Sequence, residues 1–375
     1  MPSPALLFFT DTSRSPDLRY LAGFEVHDPF IAVRVGRRRI GVLPALEYGR
    51  ALKESAFDTI VPLESLTDRA KADGVTQPGP ADHIAQLARR LRLKAFAVPE
   101  DFPASLFLKL QAAGLKVNVL DGAVLPEREI KNKREAAAIR EGNRCAAAGL
   151  SAAEKLLRAA TVKGGRLVLD GRPLTSERVR FAIDVACLEA GGIAADTIVA
   201  GGDQACDPHC RGSGALRAGE LIIIDIFPRM TRTGYHGDMT RTFLRGEASD
   251  AQRSLVHAVA DAQKAALAAV RAGVPGRQVH QQCLDLFASR GFLTKRTKSG
   301  PVGFFHGTGH GLGLAIHEAP RVGSVDRPLP LGSVVTIEPG LYYPGLGGCR
   351  IEDVVQVTTG KPRRLSHYPY EWELR

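Results

Sequence analysis

The sequence predicts an α/β fold of the α+β type in two domains, a smaller one over residues 1–125 and a larger one over 126–375. Three observations carry this reading. At 375 residues the chain can bury two separate cores. Its first third alternates short β-branched runs with segments of helical spacing. Its remainder opens on a long alanine-rich segment and then mixes strand-like runs with capped helices.

In the first domain Phe30-Ile31-Ala32-Val33-Arg34-Val35 and Arg39-Ile40-Gly41-Val42-Leu43 read as strands of a hairpin joined by Gly36-Arg37-Arg38. Ile84, Leu87, Ala88 and Leu91 recur at helical spacing, and Lys94-Ala95-Phe96-Ala97-Val98-Pro99 follows as a buried strand. Residues 120–126, with Asp121-Gly122 and Pro126, form a linker. From Lys131 to about Ala160 the composition predicts one long helix. Ser176, followed by Glu177, caps a second, which places Val179, Ile183 and Cys187 on one face and ends at Gly191-Gly192. A third begins at Ser249 or Asp250 and is closed by Gly273 and Pro275, and a fourth spans 277–290. Strands are expected at 193–200, 220–227, 239–244, 334–338 and 351–358.

Composition removes several function classes. Apolar runs such as Leu221-Ile222-Ile223-Ile224 are far too short to span a bilayer. The start, Met1 to Phe9, lacks the basic residues and cleavage site of a signal peptide, so a cytoplasmic location is expected. The net charge of +10 is scattered, with small knots at Arg37-Arg38-Arg39 and Arg363-Arg364, and no nucleic-acid module accompanies it. Six dispersed cysteines do not make a disulfide framework. Cys206 and Cys210 flank His209, but no second Cys/His pair follows at zinc-finger spacing, so these thiols read as reduced and structural.

The chemistry lies in a long-range echo. Asp225 closes an apolar run and Asp238 opens the next strand; Glu338 closes a second run and Glu352 opens the strand after it. The two gaps are 13 and 14 residues. Two such units brought together would converge four carboxylates, which repel one another unless cations neutralise them. Between the units lies Phe305-His306-Gly307-Thr308-Gly309-His310-Gly311-Leu312-Gly313, and His317 follows. Its glycines permit close backbone approach beside the imidazoles. Four carboxylates with one imidazole suit a pair of divalent ions, Mn²⁺ first or Co²⁺, with Zn²⁺ or Fe²⁺ as alternatives.

These residues resemble a known family. Asp225, Asp238, His310, Glu338 and Glu352 match, in order and local context, the five metal ligands of the pita-bread metallopeptidases, which include methionine aminopeptidase, aminopeptidase P, prolidase and creatinase. Asp238-Met239-Thr240-Arg241-Thr242, Gly309-His310-Gly311-Leu312-Gly313, Ile337-Glu338-Pro339-Gly340 and Arg350-Ile351-Glu352-Asp353 all look like its motifs, and the likeness covers about 130–359. Residues 15–24 resemble the amino-terminal domain of the prolidase, aminopeptidase P and creatinase branch. Methionine aminopeptidases usually lack that domain, and creatinases lack the ligand set. One departure is a longer stretch between Asp225 and Asp238, taken up at 228–234, and hairpin loops lengthen at little entropic cost.

The resemblance implies a creatinase-like first domain, a pita-bread catalytic domain and two divalent metals bridged by Asp238 and Glu352. It implies that Glu338 handles the water proton and that His209 and His317 are catalytic. It also implies that His306 borders a proline pocket and that Arg350 supports a carboxylate or the substrate. The partners expected are small proline-containing peptides, neither nucleic acid nor membrane, and a second copy of the chain in a homodimer. Three readings compete: a prolidase cleaving Xaa-Pro dipeptides, an aminopeptidase P acting on longer Xaa-Pro peptides, and a non-enzymatic relative that binds a partner in the cleft. The last predicts missing ligands, and none is missing.

Overall fold

The structure, a computed structural model, describes residues 5–298, 300–369 and 371–375. Of the amino-terminal segment read above for a leader, Met1–Pro4 lie outside the described residues, and Ala5–Thr10 form a strand. The chain divides into two compact units, Met1–Arg128 and Glu129–Arg375.

The first unit is built on a six-stranded mixed sheet in the order Thr59–Pro62, Arg38–Leu43, Phe30–Val35, Ala5–Thr10, Ala95–Val98, Lys116–Val119. Successive side chains of a strand point to opposite faces, so alternate residues feed two cores. Leu7, Ile31, Val33 and Phe96 pack with Leu66, Ile84, Leu87 and Leu110 of three helices. Leu6, Phe8, Phe30 and Ala32 pack with Leu18, Leu21 and Ala51 of two others. The expected hairpin forms with Arg34 opposite Arg39, and Arg38 already belongs to the second strand. Gly36 takes a positive φ of 59° at the turn.

In the second unit a four-stranded sheet runs Ile198–Gly201, Leu221–Ile226, Met239–Arg245, Glu373–Leu374. A five-stranded sheet runs Glu318–Val322, Gly309–Gly311, Val334–Ile337, Asp353–Gln356, Arg363–Arg364. Each sheet has its own helix pair. Helices Lys133–Ala159 and Ser176–Glu189 bring Ala146, Leu150, Val179 and Ile183 onto Ile222, Ile224 and Phe243. Helices Asp250–Ala269 and Gly276–Ser289 bring Leu255, Val259, Val279 and Phe287 onto Val335, Ile337 and Val355.

Two local expectations change. The cap of the second helix is Thr175, whose extended backbone lets its hydroxyl accept the Arg178 N–H at 3.3 Å. Ser176 is the first helical residue, so its hydroxyl cannot reach back, and its Oγ is buried without a hydrogen-bond partner. The strand expected at 193–200 splits into Gly192–Ile193 and Ile198–Gly201, because Asp196 turns the chain through a left-handed φ of 62°. The longer stretch after Asp225 contributes a short strand, Arg229–Met230, which pairs with Gly192–Ile193.

The long helix touches the strand connection through bare backbone. A Cβ built on Gly237 would lie 2.1 Å from the Gly142 carbonyl carbon and 2.5 Å from the Asn143 nitrogen. This contact seats Asn143, whose Oδ1 accepts the Asp238 N–H at 3.2 Å. Gly237→Ala should therefore overpack the contact and lower the melting temperature by roughly 4 °C or more. Differential scanning calorimetry checks this, and a variant that melts with the wild type would show that helix and loop separate freely.

Candidate metal centre

The 221–226 strand sends Ile222, Ile224 and Ile226 into the helix-backed core, so Asp225 emerges on the other face, opposite Thr240 of the 239–245 strand. Asp238 precedes that strand directly. In the second sheet Val334–Ile337 and Asp353–Gln356 pair antiparallel with Ile337 opposite Asp353, so Glu338 and Glu352 leave the same end of one ladder. The two sheets are stitched together beside the acids. Thr240 Oγ1 donates to Glu352 Oε2 at 2.7 Å, the Glu352 N–H donates to the Thr240 carbonyl at 3.1 Å, and Thr242 Oγ1 donates to the Arg350 carbonyl at 2.9 Å. The connection from Glu338 to Glu352 is itself a hairpin of Gly340–Tyr343 and Gly347–Arg350. Strand ends 14 residues apart leave room for two short strands between them.

Asp238, His310 and Glu352 are buried and each offers one ligand atom within 4.8 Å of the others. His310 Nε2 lies 3.2 Å from Glu338 Oε1 and 3.7 Å from Asp238 Oδ2. His310 Nδ1 donates to the Gly311 carbonyl at 3.1 Å, and this aims Nε2 at the carboxylates. Close packing fixes the strand that carries it. A Cβ on Gly309 would sit 1.9 Å from the Thr336 carbonyl oxygen, and one on Gly311 would sit 2.1 Å from that of Ala319.

The electrostatics are those of a site short of positive charge. Burial first, then Glu352, Asp225 and Glu338, push Asp238 well above the usual carboxylate range. Burial, Glu338 and Asp225 do the same to Glu352. Burial also acts to raise Glu338, but its hydrogen bond to His310 and the neighbouring charges outweigh this and bring it down to about 2. Asp225 Oδ2 pairs with Arg350 Nη2 at 2.9 Å, whereas Asp225 Oδ1 is buried with no hydrogen-bond partner among the described residues. Orphaned acceptors and mutually raised carboxylates are the pattern that hard divalent cations relieve, so these residues fit a metal.

The cluster opens into a cavity of about 1090 Å³ lined by Asp225, Asp238, His310, Glu338 and Glu352, and also by His209, His306, His317 and Arg350. All nine residues picked out in the sequence thus share one cavity. His317 stands edge-on to His310 with ring centroids 4.3 Å apart, and its ring makes no hydrogen bond among the described residues. Desolvation first, then His310, lowers its pKa to about 4, so the ring is neutral near neutrality. His209 is exposed at the cavity wall. His306 packs among Phe304, Phe305 and Tyr342, and burial lowers it to about 4. Arg350 is 3% exposed, and its guanidinium is engaged by protein at Thr240, Tyr342, Pro208 and Asp225. Of the two tasks expected of it, the contacts display the support of a carboxylate. Cys206 lies outside the cluster, its thiol pushed up to about 12 by burial and by Asp203.

Sequence reasoning missed Tyr342 and Asn143. The Tyr342 hydroxyl accepts from Arg350 Nη1 at 2.9 Å and meets His306 Nε2 at 2.8 Å, while His306 Nδ1 donates to the Gly307 carbonyl. A relay therefore links Asp225 to His306 through Arg350 and Tyr342. Only its position between Glu338 and Glu352 marked Tyr342 in the sequence.

Comparison with known proteins agrees with this geometry. The profile of metallopeptidase family M24 matches residues 137–359. The chain is 37% identical over 173 residues to a Xaa-Pro dipeptidase of Pyrococcus furiosus, a match covering 46% of this chain and 47% of that relative, about half its length. It is 26% identical over 361 residues to a Xaa-Pro dipeptidase of Pyrococcus horikoshii, covering 94% of this chain and 91% of the relative. The fold matches the X-Pro aminopeptidase of Thermotoga maritima with a TM-score of 0.80 at 24% identity, over 98% of this chain and 96% of that one. This is the pita-bread fold.

A stability test follows from the raised carboxylates. Because the folded pKa of Asp238 exceeds its ordinary 3.8, the folded metal-free chain holds more protons than the unfolded one and loses stability as pH rises between those two values. In chelator, Asp238→Asn should melt above the wild type at about pH 8, and the gain should shrink as pH falls toward about 4 and the wild-type carboxyl takes up its proton. Added Mn²⁺ should reverse the order. A variant that melts below the wild type in chelator at the higher pH would overturn the electrostatic account.

Proposed function

We propose that this chain, which belongs to metallopeptidase family M24, is a hydrolase that cleaves the bond before proline in Xaa-Pro dipeptides. One observation carries the reading: four acids and His310 meet at the wall of a cavity that also presents four further histidines. The near-full-length similarity to a Xaa-Pro dipeptidase supports it.

Asp225, Asp238, His310, Glu338 and Glu352 would hold two divalent ions, Mn²⁺ in our assignment. Such ions, when bound, polarise a carbonyl and lower the pKa of water. The chain's own groups do the rest. Glu338, held below the ordinary carboxylate range, accepts the water proton. His317, neutral and without a protein partner, donates to the scissile carbonyl oxygen as charge develops there. His209 and His306 position the peptide, and the aromatic wall around His306 accepts the proline ring. A proline has no amide N–H, so that wall needs no acceptor for one. Arg350 borders the substrate and, through Tyr342, fixes the His306 tautomer.

The remaining assignments belong to the same reading. The amino-terminal unit is a creatinase-like domain, the catalytic unit follows it, two copies of the chain associate, and the enzyme works in the cytoplasm. Six free cysteines support that location. No described helix is long and apolar enough to cross a membrane.

One observation favours a second reading, the removal of the first residue from longer Xaa-Pro peptides. A cavity of about 1090 Å³ exceeds what a dipeptide fills. Product analysis with Mn²⁺ decides between them: Xaa-Pro should be split at least about tenfold faster, in kcat/KM, than Xaa-Pro-Yaa. Preference for the tripeptide would establish the second reading, and full activity in verified metal-free protein would dismiss both.

The histidines separate by metal content. His317→Ala should lower kcat by about 10²- to 10³-fold with KM little changed and metal content intact. His310→Ala should lose metal along with activity. If His317→Ala kept a near wild-type rate and only melted earlier, its ring would be a packing element.

A further inference from the structure

A second cleft of about 310 Å³ is lined by Arg140, Asn143 and Arg144 of the long helix and by Arg364, Ser366 and His367. We propose that it binds a small multiply charged oxyanion of the phosphate class.

Charge is the first argument. Arg140 and Arg144 lie one helical turn apart on 133–159, where like charges repel. Neither has an ion-pair partner among the described residues. Their sequence neighbour Glu141 is committed elsewhere, to Arg232 at 2.8 Å. Arg364 and His367 close the facing wall, and among the described residues no carboxylate lines the cleft. Asp353 is 3.7 Å from Arg364 Nη2 and is already held by Arg241 at 3.0 Å, by Ser366 at 2.8 Å and by Gln263 at 3.2 Å. Two guanidiniums without an ion-pair partner among the described residues, beside a third only loosely paired with Asp353, leave a positive potential that an anion would relieve.

The floor is built, since Asn143 and Ser366 are 1% and 2% exposed. One Asn143 amide hydrogen goes to the Ile139 carbonyl at 3.0 Å, and the amide carries a second. The volume suits inorganic phosphate or pyrophosphate and is small for a whole nucleotide. The floor also backs onto the metal-ligand strands. Asn143 Oδ1 accepts the Asp238 N–H, and Ser366 Oγ donates to Asp353, the residue after Glu352.

Titration calorimetry of inorganic phosphate and of pyrophosphate into the full chain, at ionic strength matched with chloride, tests the proposal. Arg140→Ala/Arg144→Ala should bind at least about tenfold more weakly than wild type, as expected when charge-assisted hydrogen bonds are lost. Its melting temperature and peptidase rate should be unchanged. Arg144→Gln, at an exposed position, gives a smaller loss in the same direction and serves should the double variant misfold. Phosphate that binds both proteins equally is sitting at the carboxylate cluster through bound metal or on the general surface, and that result overturns the assignment. So does a wild type that binds nothing beyond the chloride control.

Discussion

Four carboxylates held within one buried cluster dominate this structure, and the surroundings are arranged to tolerate their repulsion. Asp225, Asp238, Glu338 and Glu352 come from four strands of two sheets. Arg350, paired with Asp225, supplies a fixed counter-charge, too little for all four to be ionised in a medium that disfavours buried charge. The raised Asp238 and Glu352 carboxyls are the visible consequence. A fold that keeps this arrangement trades stability for a site that a cation completes.

The scaffold meets that demand with hydroxyls and bare backbone. Thr240 and Thr242 tie an acid and a neighbouring carbonyl across the seam between the sheets, and Thr336 holds Glu338 at the end of its own strand, without adding charge. Gly142 against Gly237, and Gly309 against Thr336, let backbones approach to distances that any side chain would forbid. Positions are thereby set by main chain, which is stiffer than side chains and holds ligand geometry better. The relay from Asp225 through Arg350 and Tyr342 to His306 extends the same order to the aromatic wall of the cavity, so the carboxylate cluster and that wall are parts of one hydrogen-bonded assembly.

Much of the architecture could be read from periodicity. The 30–43 hairpin, the alanine-rich helix expected from Lys131 and formed from Lys133, and the strands at 221–226 and 239–245 follow from local spacing and composition. Local rules failed where a neighbour in sequence competes for the same role. Thr175 rather than Ser176 caps its helix, because one residue of phase decides which hydroxyl reaches the N–H groups. Asp196 breaks an expected strand by a single left-handed residue. Glu338 and Glu352 sit at strand ends as expected, yet the link between them is a hairpin, since its own pairing satisfies backbone groups that a long turn would leave open.

The sequence by itself determined which residues could do chemistry. Acids at strand ends and imidazoles among glycines are chemical types at fixed local positions, legible without coordinates. Tertiary structure alone decided how those groups are charged and what holds them. Whether Arg350 meets substrate or Asp225, whether Tyr342 orients His306, and whether Asn143 braces Asp238 from a helix 95 residues away all depend on contacts between distant segments. Burial and Coulomb interaction depend on distance in space, and no spacing along the chain encodes it.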